Sequence, residues 1–300
     1  MILANGLVMD DNMQCIIKKL NLPEEAEVTF WKTYKEIKGT SAFQKFVGLI
    51  KEKHPFDEIE NMCMEHAESA GINKYTYFMT LIISCVEILK QRYSEKGISD
   101  EIFVDTMGDI KCKVIECKNF HGVWGIFPKG WYKLFFDVKI IALGRLQYQK
   151  RILKDERVVY ALHIPSSGPL KYEDVMKSYK KAYQYFDKTD GDLTAFVCGS
   201  YLLFPGYFGS VFKAGTNTYK FINDFNILKV NHLDKFNDAW RIFNMPYTGD
   251  ISVLPQNTSL QKAFADYLKN DGEFGSAFGA FLFDGENILK EEAGFLRYSI

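Results

Sequence analysis

Val158-Val-Tyr-Ala-Leu-His-Ile-Pro-Ser-Ser-Gly-Pro-Leu170, continued by Lys171-Tyr-Glu-Asp-Val-Met-Lys-Ser-Tyr-Lys-Lys-Ala-Tyr-Gln-Tyr-Phe186, is the stretch on which the fold turns. Val158–Ile164 is a short apolar run without helical period, which suits a strand buried on both faces. Pro165–Pro169 is a cluster of turn formers. From Leu170 the apolar positions are Tyr172, Val175, Met176, Tyr179, Ala182, Tyr183 and Phe186. Their spacing draws one face of an α-helix. A second apolar run, Leu193–Phe204, follows. Strand, tight loop, helix and strand predict a βαβ unit, which requires some parallel pairing.

Outward from this unit, strands are expected at Val138–Leu143 and, more weakly, at Ile227–Val230, Gly279–Phe283 and Gly294–Ile300. Arg145 is expected on the strand before the central one. The first hundred residues carry a helical period instead. Val28, Trp31, Tyr34 and Ile37 recur at steps of three, and Phe43, Phe46, Val47 and Ile50 share a second face. Leu22-Pro-Glu-Glu25 marks a helix start, Gly39 and Gly71 mark stops, and Ser99 is an expected N-cap. Tyr75–Leu89 is the longest apolar stretch. It is interrupted by Thr76, Thr80, Ser84 and Glu87 and is shorter than the ~20 residues a membrane span needs. A buried helix is expected there. Helical character persists to about Phe136, broken at Pro128–Gly130. The expected architecture is α+β or α/β: a helical domain over residues 1–137, then a mixed sheet with flanking helices over 138–300.

Composition sets further bounds. Apolar residues make up 47% of the 300 residues and charged residues 25%, so a packed globular chain is expected. The net charge of −1 argues against nucleic acid as the main partner. Six cysteines without a CxxC pair suggest free thiols in a reducing cytoplasm, with no disulfide framework and no metal site. Met1–Met9 has no basic n-region of a signal peptide. No membrane association is expected, and no pattern sets an oligomeric state.

The loop before the helix could carry chemistry. A helix N-terminus offers unpaired N–H groups and partial positive charge. Ser166, Ser167 and Gly168 are small enough for a phosphate to approach the backbone. Pro165 and Pro169 remove two donors, and Glu173 and Asp174 oppose an anion. The same residues would also make an ordinary β–α turn.

Several pieces in fixed order carry a resemblance. They are Leu143-Gly-Arg-Leu-Gln147, His163-Ile-Pro-Ser-Ser-Gly-Pro-Leu170, Cys198-Gly-Ser-Tyr-Leu-Leu203, Asn217 with Phe221 and Phe225, and Leu254-Pro-Gln-Asn-Thr-Ser-Leu-Gln261. Together they resemble a family of bacterial acyltransferase domain-containing proteins. Members join an N-acyltransferase N-terminal helical domain to a GNAT-like C-terminal domain. The resemblance spans nearly the whole chain. It departs at Gly199, where the family often reads Cys-His-Ser-Trp and this chain reads Cys198-Gly-Ser-Tyr201; like the family, the chain lacks the Q/R-x-x-G-x-G/A loop usual in GNAT enzymes.

The resemblance implies an acyl-CoA or acetyl-CoA co-substrate and no metal. Pantetheine would pair with strand Val158–Ile164, touching Ile164, and the diphosphate would lie over Ser166, Ser167 and Gly168. His163 is the candidate general base. It could equally shape the loop. Tyr201 is the candidate proton donor to the leaving thiolate, and Ser200 would orient substrate; either could belong to the sheet surface alone. Arg145 could bind a substrate carboxylate or pair with a structural acid. Cys198 reads as a small buried hydrophobe, so direct transfer is expected rather than a thiol intermediate. Phe120, His121, Trp124, Phe127 and Trp131 could wall an acceptor pocket or pack in the core. The expected acceptor is the amine of a small molecule or peptide. The alternative is a degenerate GNAT scaffold that binds a ligand without catalysis.

Overall fold

The computed structural model describes residues 13–189 and 191–298, so Met1–Met9 and the last two residues lie outside it. The chain divides into two compact units, Met1–Ile141 and Ala142–Ile300. The sequence pattern places the change four residues earlier.

The first unit is helical. Its elements are α1 (Glu24–Ile37), α2 (Ser41–Lys51), α3 (Phe56–Ser69), α4 (Lys74–Ser84), α5 (Val86–Glu95), α6 (Asp100–Met107), α7 (Asp109–His121) and the short α8 (Lys133–Phe136). The starts follow side-chain chemistry: Thr40, Asn73 and Ser99 accept hydrogen bonds from the first-turn amides of α2, α4 and α6. Pro23 precedes α1, whose first turn carries Glu24, Glu25 and Glu27. Helix α4 is buried on every side, with Tyr77, Phe78, Met79, Leu81, Ile82 and Ile83 all inside. That explains an apolar stretch too short for a membrane. The Phe120–Trp131 aromatics pack locally. The His121 ring lies 4.4 Å from Tyr75 and 4.8 Å from Phe127, and Trp131 Nε1 donates to Asp109 at 2.7 Å. These contacts lie within this unit, and the five side chains are half-buried or exposed.

The second unit is built on one sheet, β1 (Ile140–Leu143), β2 (Leu146–Ile152), β3 (Val158–His163), β4 (Thr194–Ser200), β5 (Asn226–Leu233), β6 (Phe274–Phe283) and β7 (Ile288–Leu289). The strand order is β1-β2-β3-β4-β6-β5, with β7 also on β6. β3 and β4 run parallel, joined through α9 (Tyr172–Tyr185), while β2–β3, β4–β6 and β5–β6 are antiparallel. The predicted βαβ unit is thus present. Helices α10 (Asn217–Asn223), α11 (Ala239–Phe243) and α12 (Ser259–Lys269) complete this unit.

Alternation along the strands gives the sheet two faces. One carries Tyr148, Tyr160, Phe196, Phe281 and Phe283, and α9 lies on it. Tyr179 stacks on Phe196 at 5.9 Å and meets Phe281 at 4.9 Å. The other carries Val159, Ala161, Ala195, Val197, Ala280 and Leu282, packed against Ala293 and Leu296.

Three expectations change. Leu193–Phe204 is a strand only from Thr194 to Ser200, and Tyr201–Leu203 forms a 3-10 turn. Gly294–Tyr298 belongs to a 3-10 helix, Glu291–Tyr298, rather than a strand, because Ala293 and Leu296 meet the sheet at three-residue spacing. Arg145 sits in the two-residue turn between β1 and β2, where Gly144 takes φ +81°.

Candidate active site at the end of the parallel strand pair

The parallel ladder between β3 and β4 comprises Tyr160↔Phe196 and Ala161↔Val197 and goes no further. Beyond it Leu162 and His163 pair only with β2, opposite Tyr148 and Gln147. Cys198, Gly199 and Ser200 pair only with β6, opposite Gly279, Phe278 and Ala277. The pairing between the two strands therefore stops before their carboxyl ends, where the backbone of each has no ladder partner on the side of the other.

The candidate residues gather at this end. His163 closes β3, and Ile164–Gly168 follow it. Ser200 closes β4, and Tyr201 follows. Arg145 stands just before β2, whose start pairs with the end of β3.

The loop is held by Arg145. Its Nη1 donates to Pro165 O at 2.9 Å, Nη2 to Gly168 O at 2.8 Å and Nε to Pro169 O at 3.2 Å. The guanidinium is thus committed to the chain's own carbonyls, which leaves the expected carboxylate role without support. Gly168 adopts φ +118°, which a side chain would strain. Ser166 and Ser167 are exposed. At the helix start, the Tyr172 N–H donates to Asn217 Oδ1 at 3.3 Å, so that donor is already used.

His163 is half-buried, and its Nε2 lies 3.1 Å from Gln149 Oε1. An amide oxygen only accepts, so Nε2 carries the proton in this contact and the lone pair of the neutral ring falls on Nδ1. The same Oε1 accepts from Arg151 at 3.1 and 3.2 Å. His163 faces away from α9, on the side that Gln147, Gln149 and Gly199 share. Gly199 is exposed, and an added Cβ there would meet only Phe278 at 3.5 Å. Gln147, directly opposite His163, is 1% exposed, and its Oε1 has no hydrogen-bond partner among the described residues. In the sequence Gln147 stands only as the last residue of Leu143-Gly-Arg-Leu-Gln147, a polar position that interrupts an apolar strand pattern.

Ser200 and Tyr201 differ in kind. Ser200 Oγ accepts from Leu202 N at 3.1 Å and so caps the turn after β4. Tyr201 is half-buried beside Phe264, at 6.5 Å between ring centres. Burial pushes its phenol up to about 12, against the opposing pull of Arg241, so it keeps its proton at neutral pH. Cys198 is buried, and burial pushes its thiol up to about 12, far from the thiolate a nucleophile needs.

One group at this end went unread in the sequence. Asp224, just after α10, is 6% exposed. Tyr172 and Tyr179 donate to its two oxygens at 2.7 and 3.2 Å. Burial raises the carboxyl to about 7, against the two phenols and Lys290, which lower it. It ties the first turn of α9 to α10. No group of three or more His, Cys, Asp or Glu among the described residues is disposed to hold a metal ion.

A mixed sheet with a helix-joined parallel pair whose ladder stops short of the strands' carboxyl ends, following a helical unit, is the arrangement of a GNAT-like protein with a helical N-terminal domain. The sequence agrees: residues 11–138 match the N-acyltransferase N-terminal domain and 140–281 the GNAT-like C-terminal domain. The chain belongs to the family that joins these two domains. No curated protein sequence matches it. Among solved structures it is similar to an acyltransferase in complex with decanoyl-CoA and teicoplanin, at 17% identity and TM-score 0.70, covering 90% of this chain and 87% of that one. It is likewise similar to an acyltransferase mutant in complex with octanoyl-CoA, at 17% identity and TM-score 0.71, covering 90% and 87%. A third, in complex with CoA and 10C-teicoplanin, gives 17% identity and TM-score 0.69 over 89% and 86%. At this identity the likeness establishes the shared fold. No helix among the described residues is long and apolar enough to cross a membrane.

Proposed function

We propose that the protein transfers an acyl group from acyl-CoA to an amine of a small-molecule or peptide acceptor, by direct attack. The parting of β3 and β4 after Ala161↔Val197 carries this reading. A backbone edge without a ladder partner suits the amides of a pantetheine arm. Solved relatives of this fold bind octanoyl-, decanoyl- and free CoA, which supports a thioester substrate, and two hold a glycopeptide.

In this reading Ile164 and the β3 edge receive pantetheine, and Ser166, Ser167 and Gly168 receive the diphosphate. His163 takes a proton from the acceptor amine through Nδ1, with Nε2 held by Gln149. The amine nitrogen bonds to the acyl carbon as the carbon–sulfur bond breaks. Tyr201 supplies a proton to the departing sulfur. Ser200 supports the turn that presents Tyr201. Cys198 takes no part, being buried and protonated.

Calorimetry with acetyl-CoA and decanoyl-CoA tests the reading. Saturable one-to-one binding and release of CoA thiol with an amine acceptor are expected. No binding at millimolar concentration would refute it. A second reading, a scaffold that binds without catalysing, draws on Gly199, which leaves the face beside His163 without a side chain. It predicts CoA binding with no turnover across a wide panel of amines.

A further inference from the structure

Among the described residues, Arg145 is the side chain whose guanidinium gathers carbonyls of the loop between β3 and α9. In a trans peptide the C=O and the following N–H point in opposite directions. Turning the carbonyls of Pro165, Gly168 and Pro169 toward Arg145 turns the opposite edges of those peptide units away from it. Those edges carry the N–H groups of Ser166 and Leu170, beside the exposed Ser166 and Ser167.

Arg145 is itself fixed. Gly144, at φ +81°, sets the hairpin tip. Next to it Ser178 Oγ of α9 donates to Leu143 O at 2.6 Å and accepts from Leu146 N at 3.2 Å. The hairpin that presents Arg145 and the helix that ends the loop are therefore pinned to each other.

We infer that Arg145 is a positioning residue that presets this loop for a diphosphate, acting through backbone carbonyls and not by touching substrate. This rests on the acyl-CoA reading above. It goes beyond it by assigning which residue makes a donor-poor loop competent.

The test is calorimetry of CoA and of pantetheine, which lacks the diphosphate, on wild type, Arg145→Ala and Arg145→Lys. Arg145→Ala should weaken CoA on the order of tenfold and leave pantetheine unchanged. Arg145→Lys should also weaken CoA, because a point charge cannot serve three carbonyls as a planar fork does. Equal loss for both ligands in Arg145→Ala would show a general structural role and overturn the inference. So would unaltered CoA binding in either variant. If wild type binds CoA no better than pantetheine, the diphosphate assignment itself falls, whatever Arg145 does.

Discussion

His163 Nε2 and Gln149 Oε1 lie 3.1 Å apart, joining the last residue of β3 to a diagonal neighbour on β2. The contact fixes the ring's tautomer and leaves Nδ1 as the basic atom. His163→Ala should lower kcat about 100-fold or more while changing the acyl-CoA KM little. Gln149→Ala should cost about fivefold in kcat, the equivalent of one neutral hydrogen bond of about 1 kcal/mol. Steady-state assays of thiol release check both. A loss confined to KM would demote His163 to a loop-shaping residue.

Cys198 is predicted to be chemically silent. Its thiol is buried and pushed up to about 12, whereas Cys15 is exposed. Iodoacetamide on the native protein should add one label, at Cys15, without loss of transfer activity. Peptide mass spectrometry reads the site. Fast labelling of Cys198 would contradict the packing described.

The parts of this end that were legible had local signatures. Helix α9 showed as Tyr172, Val175, Tyr179 and Ala182 at helical spacing, and each faces inward. β3 and β4 showed as apolar runs because both faces of the sheet are covered. The misread parts depend on contacts distant in sequence. β6 begins at Phe274, five residues before the expected strand Gly279–Phe283, and it includes Gly275 and Gly279. They are needed there: an added Cβ would overlap the Phe204 ring at Gly275 and crowd Phe225 at Gly279. Arg145 reads equally as a ligand for a substrate carboxylate and as the partner of a structural acid, and its three carbonyl partners lie 20 to 24 residues away. Asp224 looks like a helix-end residue, and only the fold brings Tyr172 and Tyr179 to it.

Ser178 should matter to stability out of proportion to its size. Its buried hydroxyl serves Leu143 O, Leu146 N and the Tyr148 hydroxyl at 2.6, 3.2 and 2.9 Å. Ser178→Ala strands those groups and should cost about 1–3 kcal/mol. Urea denaturation with an unchanged m-value checks this.

Asp224 gives a pH signature. Its carboxyl rises from 3.8 to about 7 on folding, so between these values the folded chain holds a proton that the unfolded chain has lost. Stability from this group is present at low pH and falls as pH rises through that window, at roughly 1.4 kcal/mol per pH unit. Asp224→Asn should remove the dependence. The stability difference, wild type minus variant, should shift toward the variant between pH 5 and pH 8. A constant difference would show that Asp224 ionises normally.

The central claim is that acyl-CoA enters where β3 and β4 part. Hydrogen–deuterium exchange of the wild-type protein with and without decanoyl-CoA tests it most directly. Slower exchange confined to residues 162–170 and 198–201 is the predicted result. Protection elsewhere with those two segments unaffected would contradict it.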